Sequence, residues 1–223
     1  IEGDYLKLNV SRFFKGQYRV IGNFPYNISS QIFFKILDDK DLVPEVVCMI
    51  QKEVADRIAE KPGTKTYGIL SVLLQAWYDI DYIISVGSGA FAPPPKVQSA
   101  VIRLRRNSRT ELGCDEKLFK QVVKTAFNQR RKTLRNALKP LVAEGVDTSD
   151  PLFDLRAEKL GVEDFVRLAA EILDRTRIDL KDVSVRIRDH DRIIHPGQKL
   201  AEKRLAVLRD EKFHCELLYQ IRR

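Results

Sequence analysis

Two rhythms of apolar and polar residues divide this 223-residue chain. Up to about residue 107 the apolar positions come in short runs bounded by turn residues; from residue 115 they recur at spacings of three and four. Residues 18–21 form an apolar, strand-like run, and Ser29 stands as a helix N-cap ahead of an amphipathic stretch at 31–37. Residues 46–50 are wholly apolar, the pattern of a parallel strand covered on both faces. Residues 51–60 have helical composition, stopped by Lys61-Pro62-Gly63. Residues 68–78 predict another apolar helix, and 79–86 a strand. Three consecutive prolines make 90–96 a stiff, extended loop, and 97–105 alternates like a half-exposed antiparallel strand.

The second rhythm is helical throughout. Phe119, Val122, Val123, Ala126 and Phe127 form one apolar stripe. Gln129-Arg130-Arg131-Lys132 interrupts it, Leu134 and Leu138 resume it, and 152–173 adds further helix. The chain thus reads as α/β followed by a small all-helical part, with ample length for a core. Domain boundaries fall at 1–107, 115–174 and an unassigned tail at 176–223, where 183–188 alternates like a strand and 198–221 looks like a basic amphipathic helix.

Chemistry concentrates at Asn23-Phe24-Pro25-Tyr26. These residues sit where a strand ends, and in open α/β sheets that carboxyl edge is where ligands bind. An exocyclic amino nitrogen on a nucleobase is a poor nucleophile, because its lone pair is delocalised into the ring. Two acceptors on its two hydrogens pull it toward a tetrahedral shape and stabilise the charge it acquires. The Asn23 side-chain oxygen and one main-chain carbonyl of the Phe24-Pro25 turn suit that task. Tyr26 would stack on a base that has left its helix. The motif therefore suits methylation of such an amino group, with no general base or metal, although an Asn-X-Pro-Tyr string also occurs as a plain turn.

Charge adds a second feature. The formal net charge is +8, and between Arg103 and Lys139 twelve Lys or Arg face three acids. That one segment accounts for the whole excess, as expected of a local phosphate-binding footprint. Cys48, Cys114 and Cys215 have neither disulfide nor metal spacing, and fit a reducing, cytoplasmic setting; His190, His195 and His214 form no ligand pattern. No apolar run approaches membrane length.

The segments NFPYNISSQIFFKIL, MIQKEVADRI, YGILSVLLQAWY, GAFAPPPKVQSAVIRL and AFNQRRKTLRNAL, in that order, resemble the rRNA adenine N6,N6-dimethyltransferases over about residues 1–173. The likeness is to the bacterial small-subunit type linked to kasugamycin sensitivity, with Phe24 where that family often has Leu. The resemblance implies the C-terminal half of a Rossmann-like class I methyltransferase sheet, followed by a helical rRNA-binding domain. It implies S-adenosylmethionine as cofactor, 16S rRNA of the small ribosomal subunit as partner, and a monomer. It also implies roles for Asn23, Pro25, Tyr26 and Phe91 at the target base, Phe91 packing opposite Tyr26. Asp4 would contact the cofactor's adenine, with Asn23 facing both cofactor and substrate. Arg130, Arg131, Lys132 and Arg135 would project from the helical part to contact rRNA.

One departure is large. Ile1-Glu2-Gly3-Asp4 resembles the end of a core strand, so the Gly-rich cofactor loop and ribose-binding acid of the family are expected outside this chain. Gly87-Ser88-Gly89 lacks the strand–turn–helix context to replace that loop. Two other readings remain open at this level: a non-catalytic RNA-binding or ribosome-assembly fragment, or a related 23S rRNA or DNA adenine methyltransferase.

Overall fold

Four strands form one mixed sheet in the order β1-β2-β4-β3. They are β1 (Val20–Asn23), β2 (Glu45–Gln51), β3 (Tyr78–Val86) and β4 (Ser99–Arg106). The structure is a computed structural model that describes residues 3–142 and 148–173. The predicted elements at 183–188 and 198–221, with Cys215 and the three histidines, lie outside the described residues.

β1 and β2 run parallel, joined through helix α1 (Ser29–Asp38), as a short crossover requires. From β2 the chain passes through α2 (Lys52–Ala59) and α3 (Ile69–Gln75) to β3, at the far edge. β4 then inserts antiparallel to both β2 and β3. That order is why the polyproline loop is needed: it carries the chain from β3 back to the start of β4.

The two faces of the sheet differ. On one, Val46, Cys48 and Ile50 of β2 and Ala100, Ile102 and Leu104 of β4 are buried. The other carries Val47, Met49 and Val101, which are half-buried, and Ile21, which is 83% exposed. The expectation that residues 46–50 are covered on both faces is therefore corrected: among the described residues, helices bury one face and leave the other half bare.

Helix α4 (Glu116–Asn128) buries the predicted stripe, all five residues of it. Asp115 caps it, its carboxylate accepting the Leu118 N–H at 2.7 Å. Helix α5 (Leu134–Ala137) and a final helix, α6, at 162–173 complete the helical part. Between them, 152–161 is not continuous helix as expected. Pro151–Asp154 and Ala157–Lys159 form two 3-10 turns, in keeping with the helix-starting Pro151 and the breaking Gly161. The helical part shares its core with the sheet: Tyr67, Phe127 and Phe165 pack ring to ring at 6.2 and 5.9 Å. All described residues belong to one compact unit.

Ser29 is the other local correction. It is the first residue of α1, not its cap; Ile28 takes the cap position. The Ile28 N–H closes a turn onto the Pro25 carbonyl at 3.2 Å, and the Ser29 hydroxyl donates back to the Tyr26 carbonyl at 3.2 Å. Ser29 thus fixes the turn after the motif from inside the helix.

Candidate active site and nucleic-acid interface

β1 ends at Asn23, and the Phe24 N–H extends its ladder by one bond, to the Met49 carbonyl at 3.0 Å. Phe24 itself is an anchor, 6% exposed and edge-on to Phe33 with centroids 5.6 Å apart. A buried phenyl here fills the room that a leucine would take. Pro25 then turns the chain outward, and Tyr26 lands beside the first residue of β4, its hydroxyl 2.5 Å from Ser99 Oγ. Ser99 is fully buried. Seventy-three residues separate the pair, so neither could be assigned to the other from sequence.

The result is an open cleft of about 330 Å³ lined by Asn23, Phe24, Pro25, Tyr26, Phe91, Pro93 and Pro95. All four residues expected at the target base share it, Phe91 arriving on the polyproline loop. Among the described residues nothing hydrogen-bonds to the Asn23 side chain, and nothing donates to the Phe24 carbonyl, whereas the Pro25 carbonyl is used by the turn. Two uncharged acceptors are thus left at a strand's carboxyl end beside two aromatic rings. Asp4 does not line this cleft; its carboxylate accepts the Leu6 N–H at 3.0 Å and lies 3.9 Å from Lys7 Nζ.

The basic segment looks different in three dimensions. Eight of its twelve cations are engaged inside the protein. Arg103 and Arg105 both reach Asp81, at 2.8 and 3.2 Å, and the hydrogen bond from Arg103 holds that carboxyl below its ordinary range. Arg106 donates to the carbonyls of Lys40, Trp77 and Arg109, with its guanidinium over the Trp77 ring. Arg109 pairs with Glu163, Lys120 with Asp38, and Lys124 lies over Phe34. Arg130 binds Glu158 at 2.8 Å, and Arg135 binds Asp154 at 2.8 Å and the Thr148 carbonyl at 2.6 Å. The expectation that Arg130 and Arg135 project is therefore corrected: carboxylates and carbonyls brought in by the 148–158 segment hold them. Lys117, Arg131, Lys132 and Lys139 remain exposed, with no acidic partner among the described residues.

No group of His, Cys, Asp and Glu able to hold a metal occurs among the described residues, and no helix there is long and apolar enough to cross a membrane.

These features define a class: part of an open α/β sheet with an aromatic-flanked cleft at a strand end and a helical part on its core. The same fold appears in a crystal structure of a dimethyladenosine transferase from Plasmodium falciparum, with a TM-score of 0.67 at 22% identity over 79% of this chain and 72% of that one. The model of the ribosomal RNA adenine dimethylase family matches residues 1–174, and the chain belongs to that family. It is 63% identical over 169 residues to the ribosomal RNA small subunit methyltransferase A of Parabacteroides distasonis. It is 60% identical over 174 residues to the protein of that name in Bacteroides thetaiotaomicron. The matches cover 75% and 77% of this chain but 64% and 65% of those proteins, so the chain spans about two thirds of their length.

Proposed function

We propose that this chain carries the base-binding and RNA-positioning portion of a small-subunit rRNA adenine N6,N6-dimethyltransferase, working in the cytoplasm. The observation that carries the reading is the shared cleft of Asn23, Pro25, Tyr26 and Phe91. Tyr26 and Phe91 hold an extruded adenine between them, at a cost in unstacking that their own stacking offsets. The Asn23 side-chain oxygen and the Phe24 carbonyl accept its two amino hydrogens and draw the nitrogen toward tetrahedral geometry. The main chain of both residues is fixed beforehand, by the end of β1 and by the Phe24–Met49 bond, so the Phe24 carbonyl needs little reorganisation as charge develops.

S-adenosylmethionine supplies an electrophilic methyl group when bound, so no acid, base or metal need generate one. The chain's residues fit it: unpartnered neutral acceptors at a strand end stabilise rather than repel positive charge. Asn23 would face it, and Asp4, held by the Leu6 N–H, would take its adenine amino group. Arg131 and Lys132 would contact rRNA phosphates and so position rather than read the RNA.

The test is Asn23→Ala in a chain extended to the full length of its relatives, assayed for methyl transfer to small subunits and, separately, for RNA affinity. Loss of methylation with affinity retained is expected. Equal loss of both would remove Asn23 from the chemistry. Retained methylation would remove the cleft as the active site and place the chemistry elsewhere in the protein.

A further inference from the structure

The chain enters β1 through a short, firmly tied segment. The 3-10 turn Val10–Arg12 is anchored by Val10, which is buried, and the N–H groups of Phe13 and Phe14 both donate to the Val10 carbonyl, at 2.9 and 3.1 Å. Phe14 lies against Tyr18, with ring centroids 5.8 Å apart and planes 24° from parallel. Tyr18 is held at two points. Its N–H donates to the Leu42 carbonyl at 2.8 Å, and its hydroxyl donates to the Asp39 carboxylate at 3.1 Å. Asp39 is fixed in turn by Lys35 of α1, at 3.5 Å.

Two rings on this segment are nevertheless left bare: Phe13 is 47% exposed and Phe14 54%. An ordered phenyl ring in water forgoes the gain that burying its area would bring. Arg12 and Lys15, which flank the pair in sequence, are exposed as well and have no acidic partner among the described residues. The neighbouring carboxylates are already taken, Asp39 by Lys35 and Tyr18, Glu45 by Arg19 at 3.1 Å, and Asp4 by Lys7. A cavity of about 440 Å³ between residues 7–10 and the end of α1 is no anion site, because its two cations, Lys7 and Lys35, each face a carboxylate. The unbalanced positive charge sits at the rings instead. Adjoining ring faces on a fixed backbone, between two unpaired cations, suit a single nucleic-acid strand: bases stack on the rings and the cations draw the phosphates. Phe13, Phe14 and the exposed Leu42 fall far short of the about 20 to 30 residues that a stable protein interface uses on each side. A 3-10 turn also lacks the long amphipathic face that seats a chain on a lipid surface.

We propose that Phe14, backed by Tyr18, is a stacking platform for an unpaired base of RNA, with Phe13 beside it and Arg12 and Lys15 on the flanking phosphates. This rests on the rRNA reading above. It adds a second base-binding point at the amino end of β1, whereas the cleft of Tyr26 and Phe91 lies at the carboxyl end. A strand held at both points has less freedom to rotate about its target base than one held in the cleft alone.

The experiment measures affinity of the 223-residue chain for a short unstructured RNA, and for the same sugar-phosphate chain without bases, over a series of salt concentrations. Thermal melts verify folding. Phe14→Ala should weaken binding of the RNA about 5- to 150-fold at an unchanged salt slope, and should leave binding of the abasic chain as it was. Phe14→Tyr should bind like the parent, and Phe14→Leu like Phe14→Ala, since leucine keeps apolar area but has no ring face. Arg12→Ala/Lys15→Ala should lower the slope by about 0.7 per lost phosphate contact, with either chain. A Phe14→Leu variant that binds like the parent would make the patch merely apolar, a surface for protein or lipid, and overturn the platform. Equal loss of RNA and abasic chain in Phe14→Ala would overturn it too. So would a Phe14→Ala variant that binds RNA like the parent beside an Arg131→Ala/Lys132→Ala variant that does not, and none of these three results touches the rRNA reading. A folded parent chain without salt-dependent RNA binding would overturn that reading, and this proposal with it.

Discussion

Replacing Ser99 by alanine removes a single hydroxyl from a fully buried position and deprives the Tyr26 phenol of its 2.5 Å partner. Tyr26 is half-buried, so water can still reach its hydroxyl and no stranded donor is created. What is lost is the net value of one hydrogen bond, about 1 kcal/mol. Every 1.4 kcal/mol is tenfold, so the loss corresponds to about fivefold in the population holding the ring in its cleft-facing position. With 2-aminopurine at the target adenine of an RNA hairpin, Ser99→Ala should therefore reduce base-stacking quenching severalfold. Tyr26→Phe keeps the ring and loses the same bond, so it should have a similar effect. The double variant should be no worse than either single one, because each hydroxyl acts through the other. Additive losses would refute the coupling, and an unchanged Ser99→Ala would show that the Phe24 anchor and the Pro25 turn position the ring unaided.

Burial raises the phenols of Tyr5, Tyr18, Tyr67 and Tyr78, Tyr67 up to about 12, above an ordinary value of 10.0. Folding favours their neutral forms, so this contribution to stability is complete below about pH 10 and is lost as pH rises toward the folded values. Tyrosinate absorbance for these four should appear together with loss of ellipticity; ionisation clearly ahead of unfolding would contradict it. Burial also pushes the Cys48 thiol up to about 12, so an alkylating reagent near neutral pH should leave Cys48 intact until denaturant is added, as read by mass spectrometry of peptides. Phe119→Ala, deep in the shared core, should cost about 3 to 5 kcal/mol in denaturant titration, and a cost below 1 would mean that α4 packs less tightly than its burial implies.

The salt bridges of the basic segment show how composition misleads. Twelve cations against three acids reads as one large phosphate footprint. Folding brings Asp81, Asp38, Glu163, Glu158 and Asp154 against them, sets Lys124 over the Phe34 ring, and leaves Lys117, Arg131, Lys132 and Lys139 exposed without an acid among the described residues. Arg130 meets its carbonyl partners across 63 to 66 residues of sequence, and a charge count is blind to such pairing. The same distance hid Ser99, which carries no signal beyond a serine at the head of an alternating strand.

Sequence by itself determined whatever depends on a chain segment's own face. The α4 stripe, the alternation of β4, the stop at Pro62-Gly63 and the Asn23-to-Tyr26 turn are each encoded within a few residues, because apolar period and turn chemistry act locally. Tertiary structure decided what depends on meeting. It set β4 between β2 and β3, left one sheet face half bare, and brought Phe91 to Tyr26 in a single cleft. It also converted Arg130 and Arg135 from projecting charges into internal ties, because a guanidinium goes to whichever carboxylate and carbonyls the fold places within reach.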